Sequence, residues 1–247
     1  MAFRRWYVRS RIAVVVAVCA WIINPVRAAE PSAFESLARL KAGNAVFVAN
    51  PEAALPIDLA RRTALAQSQS PFATVLSCSD SRVPPEIVFH VSLGDLFVVR
   101  AAGNVTDRAI LASVEYAADH LHVPLVVVMG HESCGAVKAA AETPATQSLG
   151  PNLDYMLKAI RPSVAATAST PEASRMRAAI LRNVEESVND LAEKSPVLKH
   201  LWETGAVTFV GAYYELSSGR VSFSEPASAP VSVGKSAGKT SGGKPVR

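Results

Sequence analysis

The stretch 74–85 places a thiol, a carboxylate and a guanidinium at alternate positions behind a short apolar run. It reads Thr-Val-Leu-Ser-Cys-Ser-Asp-Ser-Arg-Val-Pro-Pro, so the three side chains are Cys78, Asp80 and Arg82. Alternate residues of an extended segment lie on one side of it. We therefore expect these three groups to face the same site.

A second stretch further along the chain has the same organisation. The apolar run 125–129 ends in Gly-His-Glu-Ser-Cys-Gly, which supplies His131 and Cys134. Two thiolates and an imidazole form a three-ligand zinc set, the number that leaves a fourth position for water. Thiolate ligands also suit the softness of zinc. The sequence therefore predicts one zinc ion per chain, held by Cys78, His131 and Cys134.

The carboxylate of Asp80 has two possible roles beside such an ion. It lies two residues from a ligand, so it can reach the metal itself or stop short and accept a hydrogen bond from bound hydroxide. A forked pair with Arg82 would hold the carboxylate away from zinc and leave the fourth position open. An ordinary salt bridge without catalytic meaning is the alternative for this pair.

The cysteine count leaves a disulfide as the alternative to a metal site. If residues 1–29 are removed, only Cys78 and Cys134 remain, and two cysteines in an exported protein usually suggest a disulfide. Cys134, however, follows His131 by three residues on a loop flanked by glycines, and Cys78 precedes a carboxylate. These neighbourhoods favour metal ligation.

Apolar runs predict the strands that position both stretches: 72–77, 96–101, 125–129, 206–213 and 221–223. A helix predicted over 106–121 joins the second strand to the third, which implies parallel pairing with a right-handed crossover. The turn 217–219 returns the fourth strand as an antiparallel edge hairpin. The predicted fold class is therefore α/β, with a central parallel β-sheet flanked by helices and the zinc site at the carboxyl ends of the strands.

Helical periodicity covers much of the remaining chain. It extends over 31–69 and then over 136–141, 153–166, 171–194 and 196–202. The first helices precede any strand, so we expect them to lie against the outside of the sheet or against a second subunit. The helix after Gly135 would point its amino end at the site, which favours an anion there.

Charge and composition divide the chain into three parts. Residues 1–29 are basic (+5), with an apolar run and small residues before Glu30, which predicts an export signal and a periplasmic or secreted protein. Residues 226–247 (+4) are rich in Pro, Ser, Gly and Lys, which predicts a disordered tail. The predicted folded domain, 30–225, has a net charge of −5. This distribution argues against a nucleic-acid partner, and the apolar run is too short for stable membrane insertion.

The two site motifs resemble the signature of the β-class carbonic anhydrases. These motifs are Cys-x-Asp-x-Arg at 78–82 and His-x-x-Cys at 131–134. Further blocks in the family's order are Gly-Asp-Leu-Phe-Val-Val-Arg at 94–100 and Ala-Gly-Asn at 102–104. The resemblance covers about residues 32–224.

This resemblance implies a zinc-dependent enzyme that reversibly hydrates carbon dioxide to bicarbonate and a proton through zinc-bound hydroxide. It implies that Cys78, His131 and Cys134 are the zinc ligands, that Asp80 and Arg82 form the catalytic dyad, and that Gly135 is a backbone donor near the substrate. In members with a closed site, the counterpart of Asp80 is the fourth ligand. The resemblance further implies a homodimer, which often pairs into a tetramer, with the amino-terminal helices wrapped over the partner.

Two alternatives share the same zinc site. Many members carry a glutamine just before the Gly-Asp-Leu-Phe block, where this chain has His-Val-Ser-Leu at 90–93. That departure leaves open a bicarbonate-binding or structural zinc module without turnover. A hydrolase acting on carbonyl sulfide or carbon disulfide is the second alternative. Arg100, which ends a predicted strand, is expected to be a structural ion-pair partner.

Overall fold

The computed structural model of the chain describes residues 31–55 and 57–227. The predicted export signal and the predicted tail beyond Ala227 lie outside the described residues. Within the described part, no helix combines the length and apolar character needed to cross a membrane.

A five-stranded mixed sheet forms the centre of the molecule. Its strands are β1 (Ala73–Ser77), β2 (Leu96–Arg100), β3 (Leu125–His131), β4 (Thr208–Tyr214) and β5 (Val221–Phe223). Their order across the sheet is β2-β1-β3-β4-β5. The first three pairings are parallel and the β4–β5 pairing is antiparallel. This arrangement confirms the predicted fold class.

Eight helices surround the sheet in the described residues. They are α1 (Ala33–Ala49), α2 (Leu59–Leu65), α3 (Pro85–Val88), α4 (Arg108–Glu115), α5 (Gly135–Glu142), α6 (Pro151–Ala166), α7 (Glu172–Lys194) and α8 (Pro196–Glu203). A single π-helical turn at Tyr116–His120 extends α4, and a 3-10 turn at Ala102–Asn104 follows β2. The sequence pattern did not predict α3 or the 3-10 turn, because segments this short show no apolar periodicity.

Strand β3 shows how the sheet is covered on both faces. Successive side chains of a strand point to opposite faces. Leu125, Val127 and Met129 accordingly pack in the cluster that includes Leu40 of α1. Val126 and Val128 pack in the cluster formed with α4, α7 and α8. All seven residues of β3 are buried, which explains its continuous apolar run.

The amino-terminal helices differ in how they contact the sheet. Helix α1 begins with a capping box of Ser32 and Glu35 and packs on the sheet of its own chain. The buried Asn44 amide donates to the carbonyl oxygens of Val88 and Gly219, and its Oδ1 accepts from the backbone N–H of Val221. Helix α2 has no buried residue. Thus α1 follows the first of the two expected placements, against the outside of the sheet.

Helix α7 packs directly onto the end of β3, beside the predicted ligand His131. A Cβ atom placed on Gly130 would lie 2.6 Å from Val184 Cγ2 and 3.1 Å from Ile180 Cγ2. Real Cβ atoms essentially never approach a neighbour as closely as 2.6 Å, so glycine at this position allows α7 to lie this close to the strand.

Candidate metal centre

The two predicted site stretches meet at the carboxyl ends of adjacent strands. Cys78 follows β1 directly, and His131 is the last residue of β3, the neighbour of β1. The chain leaves β1 towards β2 on one side, whereas it leaves β3 towards β4 on the other. A crevice opens at such a reversal of strand order, and ligands of α/β sheets bind there.

Cys78, His131 and Cys134 form a compact set of potential metal ligands. Their ligand atoms all lie within 4.8 Å of one another, and all three residues are buried. Both sulfurs are free of disulfide bonds in this structure. The arrangement therefore matches the predicted three-ligand set and not the alternative covalent bridge.

The His131 ring is oriented as a metal-ligating imidazole should be. Its Nδ1 lies 2.9 Å from the carbonyl oxygen of Glu132, so a proton on Nδ1 is donated there. Its Nε2 is buried and has no hydrogen-bond partner in the described structure. A backbone acceptor on one ring nitrogen fixes the tautomer that offers the other nitrogen to a metal. The residues present therefore fit a zinc ion.

Each of the two thiols changes the pKa of the other. A hydrogen bond from Cys134 lowers the pKa of Cys78 to about 4, against the opposing effect of burial, and the backbone N–H of Gly103 assists. The same contact raises the pKa of Cys134, and burial raises it further. The Cys78 thiolate is therefore favoured, and metal binding would require Cys134 to lose its proton as well.

Backbone N–H groups support both sulfurs. The N–H of Gly103 donates to Cys78 Sγ over 3.3 Å. The N–H groups of Val137 and Ala136, in the first turn of α5, favour the thiolate of Cys134, although its sulfur makes no cap hydrogen bond to that helix. Gly103 has φ +66°, and a Cβ there would lie 2.7 Å from Ile160 Cδ1. Only glycine fits this position without strain and without displacing that side chain.

Asp80 and Arg82 form a forked ion pair beside the ligand set. Arg82 Nε donates to Asp80 Oδ1 over 2.9 Å, and Arg82 Nη2 donates to Oδ2 over 2.8 Å. These hydrogen bonds hold the pKa of Asp80 well below its usual range. Asp80 Oδ2 lies 4.0 Å from His131 Nε2. This is the geometry expected for an open fourth position, because the arginine engages both carboxylate oxygens.

Arg100 supports the Cys78 loop from the end of β2. Its Nε donates to the carbonyl oxygen of Cys78 over 2.9 Å, and its Nη2 donates to that of Asp80 over 2.6 Å. Its position at the end of a predicted strand predicts a carboxylate partner for this arginine. The structure shows backbone carbonyls instead, and nothing in the local pattern indicates that Arg100 would bind them.

Gly135 occupies the first position of α5, directly after Cys134. It is exposed, and the space around its Cα is open, with no heavy atom within 4 Å of an added Cβ. A small substrate can therefore approach the backbone at the amino end of this helix.

Comparisons with known proteins agree with this geometry. The carbonic anhydrase family model matches residues 73–221. A carbonic anhydrase of Mycolicibacterium smegmatis is 40% identical over 183 residues, covering 74% of this chain and 88% of the relative. Carbonic anhydrase 2 of Mycobacterium tuberculosis is 40% identical over 182 residues, covering 73% and 87%. One of two tetrameric β-carbonic anhydrases of Sordaria macrospora matches with a TM-score of 0.61 and 26% identity, covering 68% and 87%.

The fold and the Cys-His-Cys cluster define an α/β enzyme with a candidate metal centre at the sheet edge. The sequence and structural matches identify its class: the chain belongs to the carbonic anhydrase family, and within it to the β class.

Proposed function

We propose that this chain catalyses the reversible hydration of carbon dioxide to bicarbonate and a proton at one zinc ion held by Cys78, His131 and Cys134. The observation that carries the proposal is the convergence of these three buried ligand atoms within 4.8 Å. The orphaned Nε2 of His131 supports it further, because a buried imidazole nitrogen without a partner is costly unless it binds something.

Zinc in such a site supplies a Lewis acid that brings the pKa of water from about 15.7 to roughly 7. Asp80, oriented by Arg82, accepts a hydrogen bond from the attacking oxygen and aims its lone pair at carbon dioxide. The backbone N–H of Gly135 donates to an oxygen of the substrate as negative charge develops on it. Were Arg82 to release Asp80, the carboxylate would become a fourth metal ligand and close the site.

The two rival functions lack support from the comparisons. The relatives described above are named carbonic anhydrases, and no feature of the described site favours a silent binding module or a carbonyl sulfide or carbon disulfide hydrolase.

Stopped-flow assay of carbon dioxide hydration on the zinc-loaded protein tests the proposal. We expect turnover with one zinc per chain, loss of turnover when a chelator removes the metal, and recovery when zinc is returned. Cys134→Ser is the matched control, because serine is similar in size to cysteine but lacks the sulfur ligand. Absence of turnover by protein with a full complement of zinc would contradict the proposal.

We also propose that the enzyme is a homodimer or a tetramer. Ile57 and Leu59, in and beside α2, are 53% and 67% exposed, and apolar surface of this kind is characteristic of interfaces. The Sordaria proteins are described as tetrameric. Sedimentation equilibrium should give two or four times the chain mass, and Leu59→Lys should lower it. A single-chain mass for the wild-type protein would exclude this assembly.

Export to the periplasm or outside the cell is a further proposal, supported by the basic and apolar pattern of residues 1–29. Cell fractionation with mass spectrometry of the amino terminus tests it. We expect an extracytoplasmic protein that begins near Glu30. A cytoplasmic protein that keeps its first residues would contradict the proposal.

A further inference from the structure

We propose that Asn183, together with Ser187, is a positioning residue of the metal site that holds a backbone N–H against the sulfur of Cys78. The inference rests on the proposed function, because it takes Cys78 as a zinc ligand. Asn183 and Ser187 lie on α7, one turn apart and on the same face. Neither side chain is hydrogen-bonded to any of the three ligand residues. Both act on the site through the turn Ala102–Asn104.

The first step is the hydrogen bond that the turn makes to the ligand. Gly103 N donates to Cys78 Sγ over 3.3 Å, and the contact is buried. Cys78 itself is 4% exposed. A thiolate in so dry a site depends on protein donors, since water does not supply them. Hydrogen bonds to a ligating sulfur, in turn, tune its hold on the metal.

The second step is the conformation that aims this N–H. Gly103 has φ +66° and ψ 22°, and Asn104 has φ +47°. Both residues are left-handed, a conformation that an asparagine adopts only at some cost. A turn of this kind persists when surrounding contacts determine it.

The third step is the set of contacts that α7 provides to the turn. Asn183 Nδ2 donates to the carbonyl oxygen of Gly103 over 2.8 Å. Ser187 Oγ donates to the carbonyl oxygen of Asn104 over 3.0 Å and accepts from Asn104 Nδ2 over 3.3 Å. Asn183 and Ser187 are 3% and 4% exposed. Gly103 is thus held on both sides: its N–H by the sulfur and its carbonyl by Asn183.

The consequence is a specific role for a residue distant from Cys78 in the sequence. When the Asn183 amide is removed, the Gly103 carbonyl loses its partner and the turn can relax towards ordinary backbone angles. The Gly103 N–H then moves off the sulfur, although every zinc ligand is still present. The loss therefore falls on metal affinity and on the electronic state of the sulfur.

The test compares Asn183→Ala with Asn44→Ala in the full-length protein. Both residues are buried asparagines inside helices, and both donate through Nδ2 to backbone carbonyls. Only Asn183 leads to the metal site. Zinc affinity is measured by competition with a chromophoric chelator. Cobalt-substituted protein reports on the sulfur through its thiolate-to-cobalt charge-transfer absorption.

We expect Asn183→Ala to weaken zinc binding about tenfold or more and to shift the charge-transfer band to lower energy, because a sulfur without its donor gives up electron density more readily. Asn44→Ala should lower the melting temperature yet keep wild-type affinity and spectrum. Ser187→Ala, which leaves the Asn183 contact in place, should give a smaller shift in the same direction and provides the test if Asn183→Ala fails to fold.

Three outcomes would overturn the inference. Wild-type zinc affinity and an unshifted cobalt spectrum in a folded Asn183→Ala protein would show that the contact is only structural. An equal loss of affinity in Asn44→Ala would show that the effect follows global stability. If the wild-type protein binds no zinc, the proposed function fails as well, whereas equal binding by wild type and variant rejects the positioning role alone.

Discussion

The two cysteines of the candidate metal centre offer the same ligand atom, but the chain supports them by different means. Cys134 is the residue before α5, and the first-turn N–H groups of Ala136 and Val137 favour its thiolate without a cap hydrogen bond. The Cys78 sulfur receives the N–H of Gly103, and Arg100 binds the carbonyl oxygens around it. One half of the site is therefore local, built by the first turn of a helix. The other half depends on β2, the turn after it and α7.

This difference teaches where the centre is vulnerable. Local support forms whenever α5 forms, because the first N–H groups of a helix have no partners within it. Remote support requires tertiary packing to be correct to within the length of a hydrogen bond. Substitutions that leave all three ligands in place should accordingly affect the Cys78 half more than the Cys134 half.

Replacing either cysteine should give the largest loss of zinc binding and activity. It should also remove the difference between the two halves of the site. We expect Cys78→Ser and Cys134→Ser alike to lose zinc and to reduce carbon dioxide hydration to background, because two remaining protein ligands do not make a stable zinc site. Zinc content by atomic emission and stopped-flow rates check this. Full zinc occupancy in either variant would contradict the ligand assignment.

Arg82→Met tests the role of the Asp80 carboxylate, a group of the Cys78 loop. Without the forked pair, Asp80 is free to bind the metal, so we expect kcat/KM to fall about 100-fold or more with zinc content unchanged. X-ray absorption should then show an added carboxylate oxygen ligand at zinc. Arg82→Lys should restore little, since an ammonium cannot engage both oxygens. Unchanged turnover would indicate that the ion pair has no catalytic role.

Arg100→Met removes a remote support of the same loop. The carbonyl oxygens of Cys78 and Asp80 lose their donor, so we expect zinc affinity to fall about 10- to 100-fold. Arg177→Met is the control, because Arg177 pairs with Glu215 and stacks on Tyr213 without binding the Cys78 loop. Chelator competition measures both variants. Equal losses in the two would indicate a general effect of charge or stability.

Substitution of one glycine in each half compares the two halves directly. We expect these substitutions to have the smallest effects on stability and zinc affinity. Gly103→Ala introduces a side chain at positive φ and a contact with Ile160, so we expect about 1–3 kcal/mol of lost stability and weaker zinc binding. Gly135→Ala has open space and leaves the first turn of α5 in place beside Cys134, so zinc affinity should not change. Thermal unfolding and chelator competition measure both. The comparison is wrong if Gly135→Ala is the more damaging substitution.

Sequence patterns predicted the local half of the centre and the sheet that carries it. The apolar runs identified all five strands to within two residues at either end. The signal is most continuous in β1 and β3, because every residue of these two strands is buried. The His-x-x-Cys spacing on one loop was equally direct. The geometry of the ligand set then followed from two adjacent strand ends.

The remote half could not be predicted in the same way. Asn183 lies in an amphipathic helix, where a polar residue usually faces solvent, and only the tertiary structure shows that it binds Gly103. The sequence does not indicate the carbonyl partners of Arg100 either, because these hydrogen bonds depend on where the backbone of the Cys78 loop lies in the folded chain. The forked pairing of Asp80 with Arg82 likewise became visible only with the positions of both carboxylate oxygens.

The close approach of α7 to Gly130 links the two halves. Any side chain at residue 130 would force the Val184 side chain, or α7 with it, to shift away from β3, since Val184 and Ile180 fill the space that a methyl group would need. The same helix carries Asn183 to Gly103. An added methyl group beside His131 would therefore also disturb the support of Cys78, so that the volume of the side chain at residue 130 and the metal affinity of the Cys78 sulfur change together.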